Sequence, residues 1–438
     1  MLSRSSNRVH NRRAWVARLI AMAAILWSLP AQSQALPDSQ QLPSFLSATA
    51  ARLSALKLPD TVQVHGFATQ GYMNSTGNNN VFGYSNQDSG SFGFREVGLN
   101  ASVQLRSNLL ISAQALHRHA GQGSQDIRLD YGLLDYKAYS GENSQFGIRL
   151  GRIKNPLGFY NETRDVAHTR PSIMLPQSIY LDRTRNLAMA SDGGHVYGET
   201  RTSKGDFFYQ FGVVMPIVSG PQTEAAVLGS ASSLPGNLTS QVSYIGRGMY
   251  EYDGGRVRLA VSGTQLNIGY DPARAFPGDL RAGSVLFTPV IFSAQYNAER
   301  WSLTSEYAIR HLEYSNFGVS ALNLNFTGES YYFQGLYRFT PKWEGVIRYD
   351  AMYTDRNDRS GKDYAATHLT TPAYNRYAKD LTTGIRWNIT PSFMLAAEHH
   401  YVNGTAWLAP LDNPNLSAGG SAHAQHWHLF AVQGSFRF

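Results

Sequence analysis

The chain has 438 residues, 38 Lys and Arg against 31 Asp and Glu, and no cysteine. Without cysteine, disulfides, thiolate metal sites, iron–sulfur clusters and cysteine nucleophiles are excluded. Five of the basic residues, Arg4, Arg8, Arg12, Arg13 and Arg18, fall in the first 35, so the remaining chain carries 33 basic side chains against 31 acidic ones and has no surplus for a polyanion such as nucleic acid.

Those five arginines precede an apolar stretch from Leu19 to Leu29, and Ser33-Gln34-Ala35 follows with small residues at alternate positions. This is the layout of a cleaved secretory signal peptide, with the cut expected after Ala35. The apolar stretch falls well short of the roughly 20 residues that span a bilayer as a helix. Residues 36–60 form a leader, in which Phe45, Leu46, Leu53 and Leu56 with several alanines could make a short helix. Residues 61–438 are expected to be one body. After Leu29 no run of 18 apolar residues occurs, so no transmembrane helix is expected.

From residue 61 onward the strongest signal is period-two alternation in segments of about ten residues. Val97, Leu99, Ala101, Val103 and Leu105 alternate with Glu96, Gly98, Asn100, Ser102, Gln104 and Arg106. The same design recurs at Tyr331 to Phe339 and at Lys379 to Ile389. Sixteen strands are expected, centred near His65, Leu99, Ala113, Asp130, Ile148, Val196, Phe211, Tyr244, Leu259, Phe292, Tyr307, Phe333, Ile347, Gly384, Leu395 and Val432. Alternation slips near Asp130 and Val196, where a bulge would account for it.

The spacers alternate in length. Long polar stretches follow odd strands, such as Asn74 to Ser91, Lys154 to Ala190, Ile217 to Thr239, Asp355 to Arg376 and Asn403 to Gln425. Tight connections follow even strands, such as Ser107-Asn108, Asp253-Gly254, Ala298-Glu299 and Thr340-Pro341. Short turns at one end and long loops at the other define an antiparallel up-and-down transmembrane β-barrel, an all-β fold with both chain ends on the short-turn side. A mean hydropathy of −0.30 fits this, because lipid-facing and lumen-facing residues cancel in any window. The 25 Tyr, 21 Phe and 7 Trp supply rings for interfacial girdles, and Trp301, Trp343, Trp387 and Trp427 sit close to expected strand ends.

In the last strand Phe430, Val432, Gly434, Phe436 and Phe438 alternate with Ala431, Gln433, Ser435 and Arg437. Here the sequence resembles the outer-membrane proteins of Gram-negative bacteria at large, whose final strand ends in Phe. The resemblance implies that Phe430, Val432, Phe436 and Phe438 are the signal read by the barrel-assembly machinery, and that the chain resides in outer-membrane lipid. The run IRLGRIKNPLGFYNETRD from Ile148 to Asp165, and YRFTPKWEGVIRYD from Tyr337 to Asp350, are similar to stretches of the phosphate-selective porins of the O/P type. That resemblance implies a homotrimeric porin. The family's lysine-rich anion ladder is not evident.

Sixteen strands enclose a lumen wide enough for water unless a loop narrows it. The connection from Lys154 to Ala190 follows the fifth strand, the place from which the third loop of general porins folds inward, and is expected to fold inward too. Its Leu157, Phe159, Tyr160, Ile173, Met174, Leu175, Ile179, Tyr180 and Leu181 are too apolar for an exposed loop, and the inner wall is the surface they would pack on. Arg149, Arg152, Lys154, Arg164, Arg170, Arg183 and Arg185 outnumber Glu162, Asp165 and Asp182, which makes them candidate constriction and selectivity residues with a mild anion preference. The competing reading is that Arg–carboxylate pairs pin the loop to the wall and leave no net field.

No nucleophile elbow, zinc-binding His-Glu-x-x-His or phosphate-cradling Gly-rich loop occurs, so no catalytic residue is assigned. His399, His400, His423, His426 and His428 cluster near the last loop, where they could bind a transition metal through imidazole or simply be solvated at the barrel rim; Asp355, Asp358 and Asp363 lack the spacing of a calcium site, and no metal or cofactor is expected. The expected function is a channel for passive diffusion of small hydrophilic solutes. The alternative is a barrel that binds a surface ligand or partner through its long loops and conducts little.

Overall fold

A computed structural model describes residues 59–85, 89–123, 125–229, 236–273, 280–414, 416 and 423–438. The expected signal peptide, and the leader as far as residue 58, lie outside the described residues. What is described is a closed antiparallel β-barrel. Its strands are β1 (Val62–Ser75), β2 (Ser91–Arg106), β3 (Leu109–Ala120), β4 (Gln125–Ser140), β5 (Ser144–Lys154), β6 (Ala190–Thr202), β7 (Gly205–Pro216), β8 (Gly236–Ser240 and Ser243–Tyr252), β9 (Val257–Pro272), β10 (Gly283–Asn297), β11 (Trp301–Ser315), β12 (Asn325–Arg338), β13 (Trp343–Tyr353), β14 (Tyr377–Asn388), β15 (Phe393–Gly404) and β16 (His426–Arg437). The two pieces of β8 are one strand interrupted at residues 241–242, since both pair with β9. Each of the sixteen expected centres falls in the strand of the same rank.

Closure comes from β16 pairing with β1, in register from Ser75↔Leu429 to Phe67↔Arg437. At its end Phe438 N–H donates to Gly66 O at 3.0 Å and Gly66 N–H donates back to Phe438 O at 3.3 Å. No sheet edge remains between the two strands, which removes the unpaired backbone groups that lipid could not satisfy.

The pleat sorts side chains as the alternation predicts. On β7, Phe207, Tyr209, Phe211, Val213 and Met215 are exposed on the outer wall, while Gln210 and Val214 between them are buried inside. On β2, buried Glu96 faces the interior and pairs across the sheet with Arg118 of β3. The register of β4 against β3 shifts around Asp130, the bulge expected there. By contrast β6 pairs with both neighbours in unbroken register through Val196, so its weak alternation reflects the polar and glycine residues of Asp192, Gly193 and Gly194 rather than an insertion.

At the short-turn end Trp343 and Trp387 stack on the outer wall with ring centroids 5.2 Å apart, and Trp301 stacks on Tyr296 at 5.3 Å. Trp427 does not join this girdle. It lies an odd number of residues from outward Phe430, so the pleat turns it inward. There it is fully buried, packs on Trp407 at 5.1 Å and donates from Nε1 to Gly404 O at 3.0 Å.

Short connections need sharp reversal. Between β8 and β9, Asp253, Gly254 and Gly255 all have left-handed φ (52°, 63° and 86°), and Arg256 N–H closes the turn on Asp253 O at 3.2 Å. Two consecutive glycines remove the Cβ clash that such angles impose. At the opposite end the long connections fold over the barrel mouth. Val81 and Phe82 from the β1–β2 loop, Ile173, Met174 and Leu181 from the β5–β6 loop, and Ala406, Trp407 and Leu408 from the β15–β16 loop form one apolar cluster with Phe94, Val402, Trp427 and Leu429 of the wall. Each large side chain buried this way contributes roughly 1.5–3 kcal/mol. The loops at this end are therefore held on the wall by an apolar core of their own.

Candidate functional site: the loop that crosses the lumen

Residues 155–189, here loop 3, connect β5 to β6 and lie inside the barrel. Leu157, Ile173, Met174, Leu175, Tyr180 and Leu181 are buried, and Phe159, Tyr160 and Ile179 are half-buried. The loop ends in a short helix, α1 (Arg185–Met189). A second helix, α2 (Pro221–Leu228), comes from the β7–β8 connection, where Asn186 Nδ2 donates to Gln222 Oε1 at 2.7 Å.

Carboxylates of the wall anchor the loop from several sides. Glu306 of β11 accepts from Phe159 N–H at 2.9 Å, Tyr180 OH at 2.6 Å, Tyr332 OH at 2.9 Å and Ser293 Oγ at 2.6 Å. Four strands further round, Glu398 of β15 accepts from the backbone N–H of Ile173 and of Met174. Arg348 of β13 donates to Ser172 Oγ at 2.8 Å and Met174 O at 3.1 Å, and Arg386 of β14 donates to Arg170 O. On another side, Gly158 N–H donates to Ser262 Oγ of β9 at 2.8 Å, and Arg247 of β8 pairs with Glu162 at 2.6 Å. A segment bonded to so many strands bridges the lumen rather than hugging one wall.

The centre of this network is Glu96. Arg118 Nε lies 3.0 Å from its carboxylate, Arg170 Nη1 3.2 Å and Arg185 Nη2 3.9 Å. Arg118 also donates to Asp182 at 2.8 Å. A single buried carboxylate thus faces three buried guanidinium groups, and Asp165 and Asp182 share the remaining charge.

The seven cations expected at the constriction fall into three groups. Arg149 faces inward, held by Asp135 at 2.9 Å and stacked over the Tyr197 ring at 4.2 Å. Lys154 lies 2.5 Å from Asp130 and also contacts Asp165, while Arg164 meets Asp182 at 3.7 Å and donates to Tyr180 O at 2.9 Å. Arg170 and Arg185 complete this interior set on Glu96 and Asp165. Arg152 stands apart: it pairs with Asp192 at 2.8 and 2.9 Å on the outer wall, where Asp192 lies opposite exposed Met215. Arg183 is the third case, with no hydrogen bond or carboxylate partner among the described residues and a buried Nε left unpaired.

Burial pushes the Arg164 guanidinium down to about 10, opposed by Asp182, and lowers Arg183 with a further contribution from nearby Arg376. Burial and then the Glu306 charge push the Tyr180 phenol well above its usual range, so it stays a donor.

The histidines close in sequence are separated by the pleat. His399 and His428 meet on the outer wall at 3.1 Å, with His426 beside Tyr401, while His400 points inward between Asp380 at 2.8 Å and Glu398 at 3.4 Å. His423 contacts Asn79 at 3.1 Å. Asp355 and Asp358 accept from backbone groups of their own loop. Among the described residues no group of three or more His, Asp or Glu side chains is arranged to hold a metal ion.

No family model and no curated protein sequence matches the chain. Solved structures do match in fold. OprB of Pseudomonas putida aligns with a TM-score of 0.55 at 12% identity, covering 90% of this chain and 97% of that one. An anion-selective porin from Comamonas acidovorans aligns at 0.51 and 14%, covering 86% and 99%. The trimer form of OmpT, an outer membrane protein of Vibrio cholerae, aligns at 0.50 and 9%, covering 86% and 99%. The architecture is thus the sixteen-stranded barrel also found in outer-membrane porins.

Proposed function

We propose that this chain is an outer-membrane channel through which small hydrophilic solutes diffuse passively along a path narrowed by loop 3. The observation that carries the reading is the combination of an apolar outer wall, closed at Phe438, with a charged loop bonded across the interior. A soluble protein would not expose Phe207, Tyr209, Phe211 and Val213 in one row, and a structural plug would not need so many ionisable groups. The folds of OprB and of the anion-selective porin support the same class.

Selectivity in this reading is a mild anion preference. Glu96, Asp130, Asp135 and Asp192 pair with cations read along residues 149–185, and Arg183 has no carboxylate partner among the described residues. Planar-bilayer recording on purified protein should give discrete conductance steps, with a reversal potential in a KCl gradient on the anion side. Absence of conductance would overturn the channel, and a cation-selective potential the preference. The packed apolar cluster of Phe82, Met174, Trp407 and Trp427 favours the second reading, a barrel that binds at its loop end and conducts little, and the same recording separates the two.

Export by a signal peptide cut after Ala35, and assembly as a homotrimer, belong to this proposal. On the outer wall Arg95, His117, His119, Lys379, His399, His426 and His428 make a polar strip over β14–β16, β2 and β3, unlike the aromatic wall of β7–β13. Polar side chains facing lipid are unfavourable and call for cover by another copy. Electrophoresis of unheated membrane fractions should give a trimer-sized band, and removing Phe438 should lower its amount by impairing recognition by the assembly machinery. A monomer-sized band counts against the trimer, and an unchanged amount against the signal.

A further inference from the structure

Between loop 3, α2 and the inner wall of β9–β13 lies a cavity of about 170 Å3. We propose that it binds a small organic monocarboxylate with a compact apolar or aromatic body, its charged end held by Arg183 and Arg310. This rests on the channel reading and names the solute class that such a channel would favour.

The charge balance of the lining is the first reason. Arg164, Arg183 and Arg310 face the cavity, and no Asp or Glu does. Arg164 is used by Asp182 and Tyr180 O. Arg183 has no partner among the described residues, and Arg310 has a single long hydrogen bond, from Nη1 to Ser178 O at 3.4 Å. Both guanidinium groups line the same cavity. Like charges brought together away from water, without a counter-charge, are strongly unfavourable unless an anion joins them.

Shape is the second reason. Away from the arginines the walls are apolar, built from Leu187, Val227, Val285, Phe287, Ile291 and Leu312. An apolar protein cavity of roughly 150 Å3 accommodates benzene. A hydrated inorganic anion would satisfy the cationic pole and leave these walls uncovered, whereas a ring or short branched chain carrying one carboxylate meets both. A guanidinium fork also matches the planar two-oxygen geometry of a carboxylate. The occupant has one charged end because the lining has one cationic pole.

The test uses the full-length purified protein in detergent and equilibrium titration calorimetry at constant ionic strength. Sodium benzoate should bind saturably, and benzamide and inorganic phosphate at least tenfold more weakly. Arg183→Gln and Arg310→Gln should each weaken benzoate at least tenfold while keeping the heat-modifiable mobility of a folded barrel. Arg183 lies in the loop, so its variant remains informative if the wall variant does not assemble. Ile291→Trp, which fills the apolar part, should also weaken benzoate. Absence of benzoate binding, binding indifferent to both arginine substitutions, or phosphate binding as tight as benzoate would each overturn the proposal. Calorimetry needs no conduction: a protein that binds benzoate without conducting overturns the channel reading alone, and one that conducts without binding overturns this inference alone.

Discussion

Glu96→Ala is expected to raise single-channel conductance severalfold and to lower the temperature at which the barrel loses its folded electrophoretic mobility. Its carboxylate is 1% exposed and is the shared partner of Arg118, Arg170 and Arg185. Removing one member of a buried ion pair leaves an uncompensated charge and costs about 3–5 kcal/mol. Here three guanidinium groups lose a partner together, and water is the only replacement. Arg118 keeps its bond to Asp182 of loop 3, so the part of the loop that gains freedom is the part held through Arg170 and Arg185. Swinging that loop away widens the path. The check is bilayer recording of wild type and variant side by side, with thermal transitions on the same preparations. Equal conductance and an unchanged transition would contradict the assignment of Glu96 as the main anchor.

Glu306→Leu should expose loop 3 to protease. The substitution keeps similar volume but removes the acceptor of Ser293 Oγ, Tyr180 OH, Tyr332 OH and Phe159 N–H. Each buried donor left unsatisfied costs about 1–3 kcal/mol, so the four together exceed what the apolar contacts of Leu157 and Ile179 hold in place. In the folded barrel Arg164, Arg170 and Arg185 are buried and closed to trypsin. Limited trypsin digestion followed by mass spectrometry should find cleavage after these residues at least tenfold faster in the variant. Glu306→Gln, which retains an acceptor oxygen, should fall between. A digestion rate equal to wild type would place the anchoring elsewhere. The two substitutions act from opposite sides of the lumen on one loop, so their combination is expected to be less than additive once either has released it.

Much of the architecture is local in origin and was therefore readable. Side chains on a strand alternate strictly, so Val97, Leu99 and Ala101 announce an outer face without knowledge of neighbouring strands. Turn residues such as Asp253 and Gly254 announce reversals by backbone preference alone. The inward course of loop 3 was legible as well, because a connection carrying Ile173, Met174, Leu175 and Leu181 has to bury them. Two misplacements were avoidable by the same rule. Trp427 counts inward from Phe430, and Arg152 counts outward with exposed Leu150. Nearness to a strand end or to a charge cluster does not fix the face a side chain takes, whereas parity does.

The charge of the site was not readable in this way. Glu96 meets Arg170 across 74 positions and Glu398 meets Ile173 across 225. Such partners are set by which strands become neighbours and by how the loop lies between them. A count along residues 149–185 sees a cationic surplus, while the folded barrel pairs most of those cations with acids from β2, β4 and β6 and leaves Arg183 and Arg310 facing an apolar cavity.

Period, turn chemistry and apolarity act between residues close in the chain, so sixteen strands, short turns at one end, long loops at the other and an aromatic final strand are written in the sequence. The register in which β16 meets β1, the points at which the wall holds loop 3 and the partner of each charge on it are settled only in the folded barrel. Those depend on electrostatics and packing between segments far apart in the chain, which become adjacent only when the barrel has closed.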